Sequence, residues 1–327
     1  MVSQPDQRVR MVPGTADIGG LRVNYAVSDN ETIPFNGQPP QIWAVNIHGY
    51  FAGGGMYWRE SARLAGGLGW RVINPSLPGF GGSDPLPWNR LSMSGFADVI
   101  AGLLDHLGVG PVVVLGHSMG GAVATQFAFD HPERTLGVVY RDGAATASWK
   151  ERKSILAKVI SPVSPDLGAM CDLVSGVALD VPDMLIGRAR STLRGVMPDA
   201  RLNLRSVADA LPVGAMLFAS DLTTEVDHVA RDHGVPILPM WGMYDRITPR
   251  HTAHEFARIS GEKVHWVRGG HSWMIARPGT QMRVLRDHED GQSFMRRVMA
   301  RVVPEGVAKL PVRRFPLPAA AAGLAGR

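Results

Sequence analysis

The chain has 327 residues, 45% of them hydrophobic and 19% charged, a balance that suits a globular protein with a sizeable core. No apolar run approaches the roughly 18 residues of a membrane-spanning helix, and the opening MVSQPDQRVRMVPG holds no apolar segment that would read as a secretory signal. The net charge of +5 is concentrated at one end: from Arg296 onward seven basic residues and one acid carry +6, and no aromatic-interleaved basic surface suggests a nucleic-acid partner.

In chain order, RVRMVP (8–13) and LRVNYAVS (21–28) read as early strands that could pair as a hairpin. QIWAVNIHG (41–49) is a buried strand ending in glycine, and RVINPSLPG (71–79) is another, stopped by prolines. In LSMSGFADVIAGLLDHLG (91–108), Phe96, Ile100, Leu103, Leu104 and Leu107 share one helical face, and Gly108 is a natural stop. PVVVLG (111–116) and LGVVYRDG (136–143) are further strands, separated by a helix in which Met119, Val123 and Phe127 recur every four residues until Pro132. PILPMWGMYD (236–245) and EKVHWVRGG (262–270) follow, with a helical pattern closing at Ser260 between them. Near-continuous apolar strands alternating with helices indicate a mainly parallel sheet covered on both faces.

The strand rhythm breaks between Ala144 and Gly234, where only helix-like pieces occur, punctuated by prolines at 162, 165, 182, 198 and 212. An inserted helical lid over 145–234 is the simplest account. It divides the core into 1–144 and 235–303. Residues 304–327, rich in Pro, Ala and Gly, read as a disordered basic tail, solvated and at most a weak contact for an anionic membrane surface. The single Cys171 excludes an internal disulfide and fits a reducing, cytoplasmic setting.

The stretch VVVLGHSMGGAVATQ (112–126) carries the chemistry. Gly116-His117-Ser118-Met119-Gly120 matches the G-x-S-x-G turn, in which a serine sits where a buried strand becomes a helix. Glycines remove side chains that would collide in so sharp a turn, and the helix start favours a developing anion. A serine hydroxyl needs a base to attack at neutral pH. Of eleven histidines, His271 in VRGGHSWMIARP stands out, in a glycine-rich turn after the last strand. Its orienting acid is expected between serine and histidine, after a strand: Asp245 in PMWGMYDRITP, with Asp142 in VVYRDG as the competing candidate. Two donors for an oxyanion are expected from the backbone N–H groups of Met119 and Tyr50, the latter in NIHGYFAGGG with Phe51 behind it. The run Gly53-Gly54-Gly55 invites a phosphate-binding reading, but no Gly-Lys-Ser/Thr follows.

These residues resemble the α/β-hydrolase superfamily, in its lid-bearing group of esterases, C–C bond hydrolases and epoxide hydrolases. HG at His48-Gly49, LPGFGGSD (77–84), GHSMGG, WGMYDRITP and GGHSWMIARP are similar to that family's motifs, over about Leu21 to Val303. The resemblance implies the α/β-hydrolase fold: an eight-stranded, mostly parallel sheet with helices on both faces and a helical lid inserted after the sixth strand. It implies Ser118 as nucleophile, His271 as base, Asp245 as acid, and Tyr50 with Met119 as oxyanion donors, with no metal or organic cofactor. Serine at 118, where epoxide hydrolases and dehalogenases carry aspartate, argues against those activities, as does the absence of tyrosine from residues 144–234. Meta-cleavage C–C hydrolases typically carry tryptophan directly after the histidine, whereas here Ser272 comes first and Trp273 second.

The expected activity is hydrolysis of a carboxylic ester or related acyl bond through an acyl-enzyme. A C–C hydrolase or an acyltransferase on the same scaffold is the alternative. Phe51, Trp273 and Met274 are candidate pocket residues. Met170, Met184, Met197, Met216 and Phe218 of the inserted segment suggest a small-molecule, apolar acyl substrate, or simply pack its helices together.

Overall fold

The computed structural model describes residues 9–30, 42–148 and 189–302. Cys171, Met170, Met184 and the basic tail lie outside them. Strands β1 (Met11–Ile18) and β2 (Leu21–Ser28) form an antiparallel hairpin. β1 begins and ends later than RVRMVP suggests. Its register is set by the turn at Gly19-Gly20, whose φ values of 60° and 82° are those of a tight hairpin turn. Pro13 is tolerated because β1 is an edge strand.

β3 (Trp43–Ile47), α1 (Trp58–Leu68) and β4 (Arg71–Pro75) follow, then α2 (Met93–His106), whose start is capped by Ser92 Oγ accepting from Gly95 N at 3.0 Å. β5 (Val112–His117) leads directly into α3 (Met119–Asp130), and β6 (Thr135–Arg141) comes next. The described part of the insertion holds α4 (Ala189–Arg205), α5 (Val207–Ala219) and α6 (Thr223–Arg231). The chain then returns through β7 (Ile237–Gly242), α7 (Arg250–Ser260), β8 (His265–Val267), the short α8 (Trp273–Ala276), α9 (Thr280–Asp287) and α10 (Glu289–Val302).

The eight strands lie in the order β1-β2-β4-β3-β5-β6-β7-β8. The hairpin joins the rest through β2 antiparallel to β4, and every pairing from β4 to β8 is parallel. Alternation along β5 shows how both faces are used. Val112 and Val114 point into a core with Phe96 of α2, Phe127 of α3 and Phe256 of α7; Val113 and Leu115 point into one with Leu64 of α1 and Phe294 of α10. α3 is buried from Met119 to Ala128, which explains why its sequence is apolar and small on every side.

Two features of the insertion differ from expectation. Pro198 and Pro212 lie inside α4 and α5 and do not separate helices. Each removes one backbone hydrogen bond, and both helices are held by contacts to the core described below. α6 packs against α3 and α7, and its Val226 and Val229 belong to the core beneath the sheet. Among the described residues no helix is long and apolar enough to cross a membrane.

Candidate active site

All the residues singled out at strand ends gather at the carboxyl edge of the parallel sheet, where open α/β sheets place ligands. Ser118 follows β5, Asp142 follows β6, Asp245 follows β7, His271 follows β8, and Tyr50 follows β3. The turn at Ser118 is strained: its φ is 54° and its ψ −119°, a region that side-chain-bearing residues rarely adopt. The flanking glycines are sterically required. A Cβ on Gly116 would stand 2.7 Å from Ala124 Cβ and strike the Gly120 carbonyl; one on Gly120 would stand 2.6 Å from the His48 carbonyl oxygen. Ser118 itself is half-buried, and its neighbour Met119 heads α3, whose first N–H groups have no acceptor within the helix.

His271 Nδ1 donates to Asp245 Oδ2 at 2.8 Å. Asp245 is held from three more directions: Oδ1 accepts from the N–H groups of Ile247 (2.7 Å) and Thr248 (2.9 Å), and Oδ2 from Thr248 Oγ1 (2.5 Å). Burial works to raise this carboxyl, but the charge and hydrogen bond of His271, with hydrogen bonds from Asp142 and Thr248, outweigh it and keep the group below the ordinary aspartate range. Asp142 is the other acid foreseen. It is fully buried, and its oxygens accept from Gly242 N (2.7 Å) and Trp273 Nε1 (2.5 Å). Burial, followed by the adjacent Asp245 charge, pushes its carboxyl well upward. Asp245 is therefore the partner of His271, and Asp142 a neutral neighbour.

Trp273 and Met274 are fully buried in the core on one side of the sheet. Trp273 backs the site with its Nε1 committed to Asp142 and no surface open to solvent, a correction to the expectation from sequence, whereas Met274 lines a small cavity with Tyr57, Trp58 and Ile275. Phe51 is 37% exposed. In the insertion, Met197 is 41% exposed, whereas Met216 and Phe218 pack partly buried onto the core.

The loop after β3 runs against the serine turn: a Cβ on Gly49 would lie 3.1 Å from Ser118 Cβ. His48, fully buried, fixes this loop by donating from Nδ1 to Gly49 O (2.8 Å) and accepting Leu77 N at Nε2 (2.8 Å). That arrangement needs a neutral ring, and burial lowers its pKa to about 4. Tyr50 Oη donates to Ala210 O of α5 at 2.9 Å, and its ring meets Phe80 edge-on.

A second histidine, which the sequence does not single out, belongs to the site. His117, one residue before Ser118, has its ring centroid 4.7 Å from that of His271. Its Nε2 lies 2.9 Å from the His271 carbonyl, which can only accept, so Nε2 carries the proton and Nδ1 accepts from Tyr57 Oη at 2.5 Å. Tyr57 Oη in turn accepts from Gly49 N at 3.3 Å. A single relay thus ties the β3 loop, the serine turn and the histidine turn together. Burial, then the charges of His271 and Arg141, keep His117 neutral. Arg141 is buried beside it, bonded to Glu60 (2.8 Å), Asn46 (2.6 Å) and the Leu115 carbonyl (3.1 Å). Only the tyrosine-to-histidine distance in space reveals this relay, since the two are 60 residues apart.

Among the described residues, two clusters bring potential metal ligands together. Asp142, Asp245 and His271 place ligand atoms within 4.8 Å of one another, but their carboxylate oxygens are already engaged by N–H and O–H donors. His265, His288 and Asp290 form the other, at the start of β8 and so at the far end of the sheet.

A family profile described as alpha/beta hydrolase fold matches residues 45–159. The magnesium-chelatase 30 kDa subunit of Rhodobacter capsulatus is 31% identical over 248 residues, covering 68% of this chain and 86% of that protein. A protein of Mycobacterium phage D29 that bears the name of a non-heme haloperoxidase is 28% identical over 236 residues, 72% of this chain and 82% of its own length. Among solved structures, a thermophilic esterase from Thermogutta terrifontis superposes with a TM-score of 0.60 at 22% identity, over 89% of this chain and 98% of the esterase.

Proposed function

This chain belongs to the α/β-hydrolase fold family, and on that premise we propose that it is a serine hydrolase cleaving a carboxylic ester or related acyl bond. The names of its relatives differ, so the reading rests on the chain's own residues. The observation that carries it is the buried 2.8 Å bond from His271 to Asp245, at the same edge of the sheet as a serine held at a φ of 54°.

In this reading the Ser118 hydroxyl attacks the substrate carbonyl while His271 Nε2 takes its proton. Asp245 fixes the tautomer in which Nε2 carries no proton and stabilises the imidazolium as it forms. The tetrahedral oxyanion is received by the backbone N–H groups of Tyr50 and Met119. The intermediate collapses, His271 passes its proton to the departing alcohol oxygen, and an acyl-serine remains. Water then loses a proton to the same imidazole, attacks the acyl carbon and releases the acid, restoring Ser118. The substrate is a small apolar acyl compound, admitted beneath the inserted segment, of which α4 and α5 form the described part of the lid.

A series of p-nitrophenyl esters of increasing chain length, with and without an added alcohol acceptor, tests the reading. Saturable release of p-nitrophenol, lost in Ser118→Ala, is expected. Product appearing only when the alcohol is present would assign the chain as an acyltransferase, and no turnover of any ester would overturn the proposal.

A further inference from the structure

α4 reaches the β3 loop through two side chains one helical turn apart, Asp199 and Asn203, both buried. Asn203 Nδ2 donates to the carbonyls of Phe51 (2.9 Å) and Ala52 (3.0 Å), while its Oδ1 accepts from Gly81 N (2.8 Å) in the neighbouring LPGFGGSD loop. Asp199 Oδ2 accepts from Met56 N at 2.9 Å, and the carboxylate is also bonded to Gly55 N–H. The triple glycine is what admits it. A Cβ on Gly53 would lie 2.6 Å from Asp199 Cγ, and one on Gly55 2.9 Å from Asp199 Oδ2. The glycine run that resembles a phosphate cradle thus receives a carboxylate from the chain itself.

The segment so gripped follows directly on Tyr50. Phe51 is held in the left-handed region, at a φ of 59°, a conformation that for a bulky residue persists only when its surroundings enforce it. Asn203 enforces it by bonding the carbonyls of Phe51 and Ala52 at once. The Tyr50 N–H lies in the Gly49–Tyr50 peptide plane, whose carbonyl accepts from His48 Nδ1 at 2.8 Å on one side and from the N–H of the gripped Ala52 at 3.2 Å on the other, so the seating of Ala52 helps set where that N–H points. An error of about 1 Å in a donor's aim is enough to cost two orders of magnitude in rate.

We propose that Asp199 and Asn203 are positioning residues for the oxyanion donor: the covering helix sets the aim of the Tyr50 N–H by gripping Phe51, Ala52, Gly55 and Met56. The inference rests on the serine-hydrolase reading for its catalytic consequence, but not for the grip itself. It also makes the seating of α4 and the competence of the site one event, because the helix that covers the substrate is the one that completes the donor.

The test uses the full chain with Asn203→Ala, Asp199→Ala and the isosteric Asp199→Asn, which keeps an acceptor oxygen. Hydrogen exchange of residues 50–57 reads the grip, and kcat against KM on p-nitrophenyl acetate reads its effect. Both alanine variants are expected to speed exchange in 50–57 at least tenfold, with β5 and β6 unchanged. They should lower kcat ten- to hundredfold while KM moves less than threefold, and Asp199→Asn should recover most of the loss. A folded variant with faster exchange and wild-type kcat would overturn the positioning role, as would unchanged exchange. A wild-type chain that is protected in 50–57 yet turns over no ester would instead overturn the serine-hydrolase reading and leave the grip standing as a feature of the fold.

Discussion

Asp142 and Asp245 lie side by side as two buried carboxyls, and only Asp245 is bonded to His271. Like charges so close in a buried site cannot both ionise. Asp142 is the one that keeps its proton, raised by burial and then by the Asp245 charge, while Asp245 stays ionised against His271. The neutral acid lends a hydrogen bond to the ionised one and anchors two elements through Gly242 N and Trp273 Nε1.

The two acids should therefore fail differently. Asp245→Asn is expected to lower kcat by about 10⁴, since the imidazole loses its enforced tautomer. Asp142→Asn retains a donor toward Asp245 but turns its amide N–H₂ toward an N–H donor, at a cost of about 1–3 kcal/mol. It should lose stability in a denaturant titration while keeping at least ten times the activity of Asp245→Asn. A reversed order in ester turnover would transfer the acid role to Asp142.

The strain at Ser118 predicts opposite effects on stability and activity. Ser118→Gly relieves a backbone conformation that costs about 1–3 kcal/mol for a residue with a Cβ. It should be about 1 kcal/mol more stable than Ser118→Ala, which keeps the Cβ. Both should have lost several orders of magnitude of activity. Equal stability of the two variants, measured by urea unfolding, would show that the turn relaxes once the hydroxyl is gone.

Why some of this was legible in the sequence and some not follows from where the information lies. The six strands β3 to β8 announce themselves because each is a short apolar run closed by glycine or proline, as VVVLG is before His117. Ser118, Asp245 and His271 stand out because the sheet delivers its strand ends to one edge, so a motif after a strand is already placed. The limits of β1 were missed because hairpin register, set at Gly19-Gly20, overrides local composition. Asn203 and Asp199 were invisible because their partners lie 152 and 143 residues away and the loop that receives them signals only room, through Gly53 and Gly55. Trp273 reads from the sequence as a pocket residue because its size and position are visible there, whereas the commitment of its Nε1 to Asp142 is not.

The relay through Tyr57 predicts a coupled loss. Tyr57→Phe leaves Gly49 N and His117 Nδ1 without their partner oxygen, both buried. It should cost about 1–3 kcal/mol. In a double-mutant cycle with His117→Leu, the two losses should be non-additive by at least 0.5 kcal/mol, as for residues in one network. Strict additivity in urea unfolding would mean that the two side chains act independently.

Acid stability should depend on His48. Its folded pKa of about 4 lies below the unfolded value of 6.5. Between those two pH values the unfolded chain binds a proton that the folded chain refuses, so stability falls as pH drops through that window, by roughly 3 kcal/mol at its foot. His117 acts in the same direction, whereas Asp142 and Asp199, both raised by burial, lose stability as pH climbs. His48→Gln, which keeps a donor and an acceptor, isolates the effect: the gap in unfolding free energy between wild type and variant should narrow from pH 7 to pH 4.5. A gap that stays constant would place the titration elsewhere.

The most direct measurement is covalent labelling by a fluorophosphonate, with the adduct located by peptide mass spectrometry. The account predicts stoichiometric modification at Ser118 in the native chain, slowed at least a hundredfold by Asp245→Asn and abolished in Ser118→Ala. A native, correctly folded chain that takes up no label, or a label that persists at another residue when Ser118 is replaced, would contradict it.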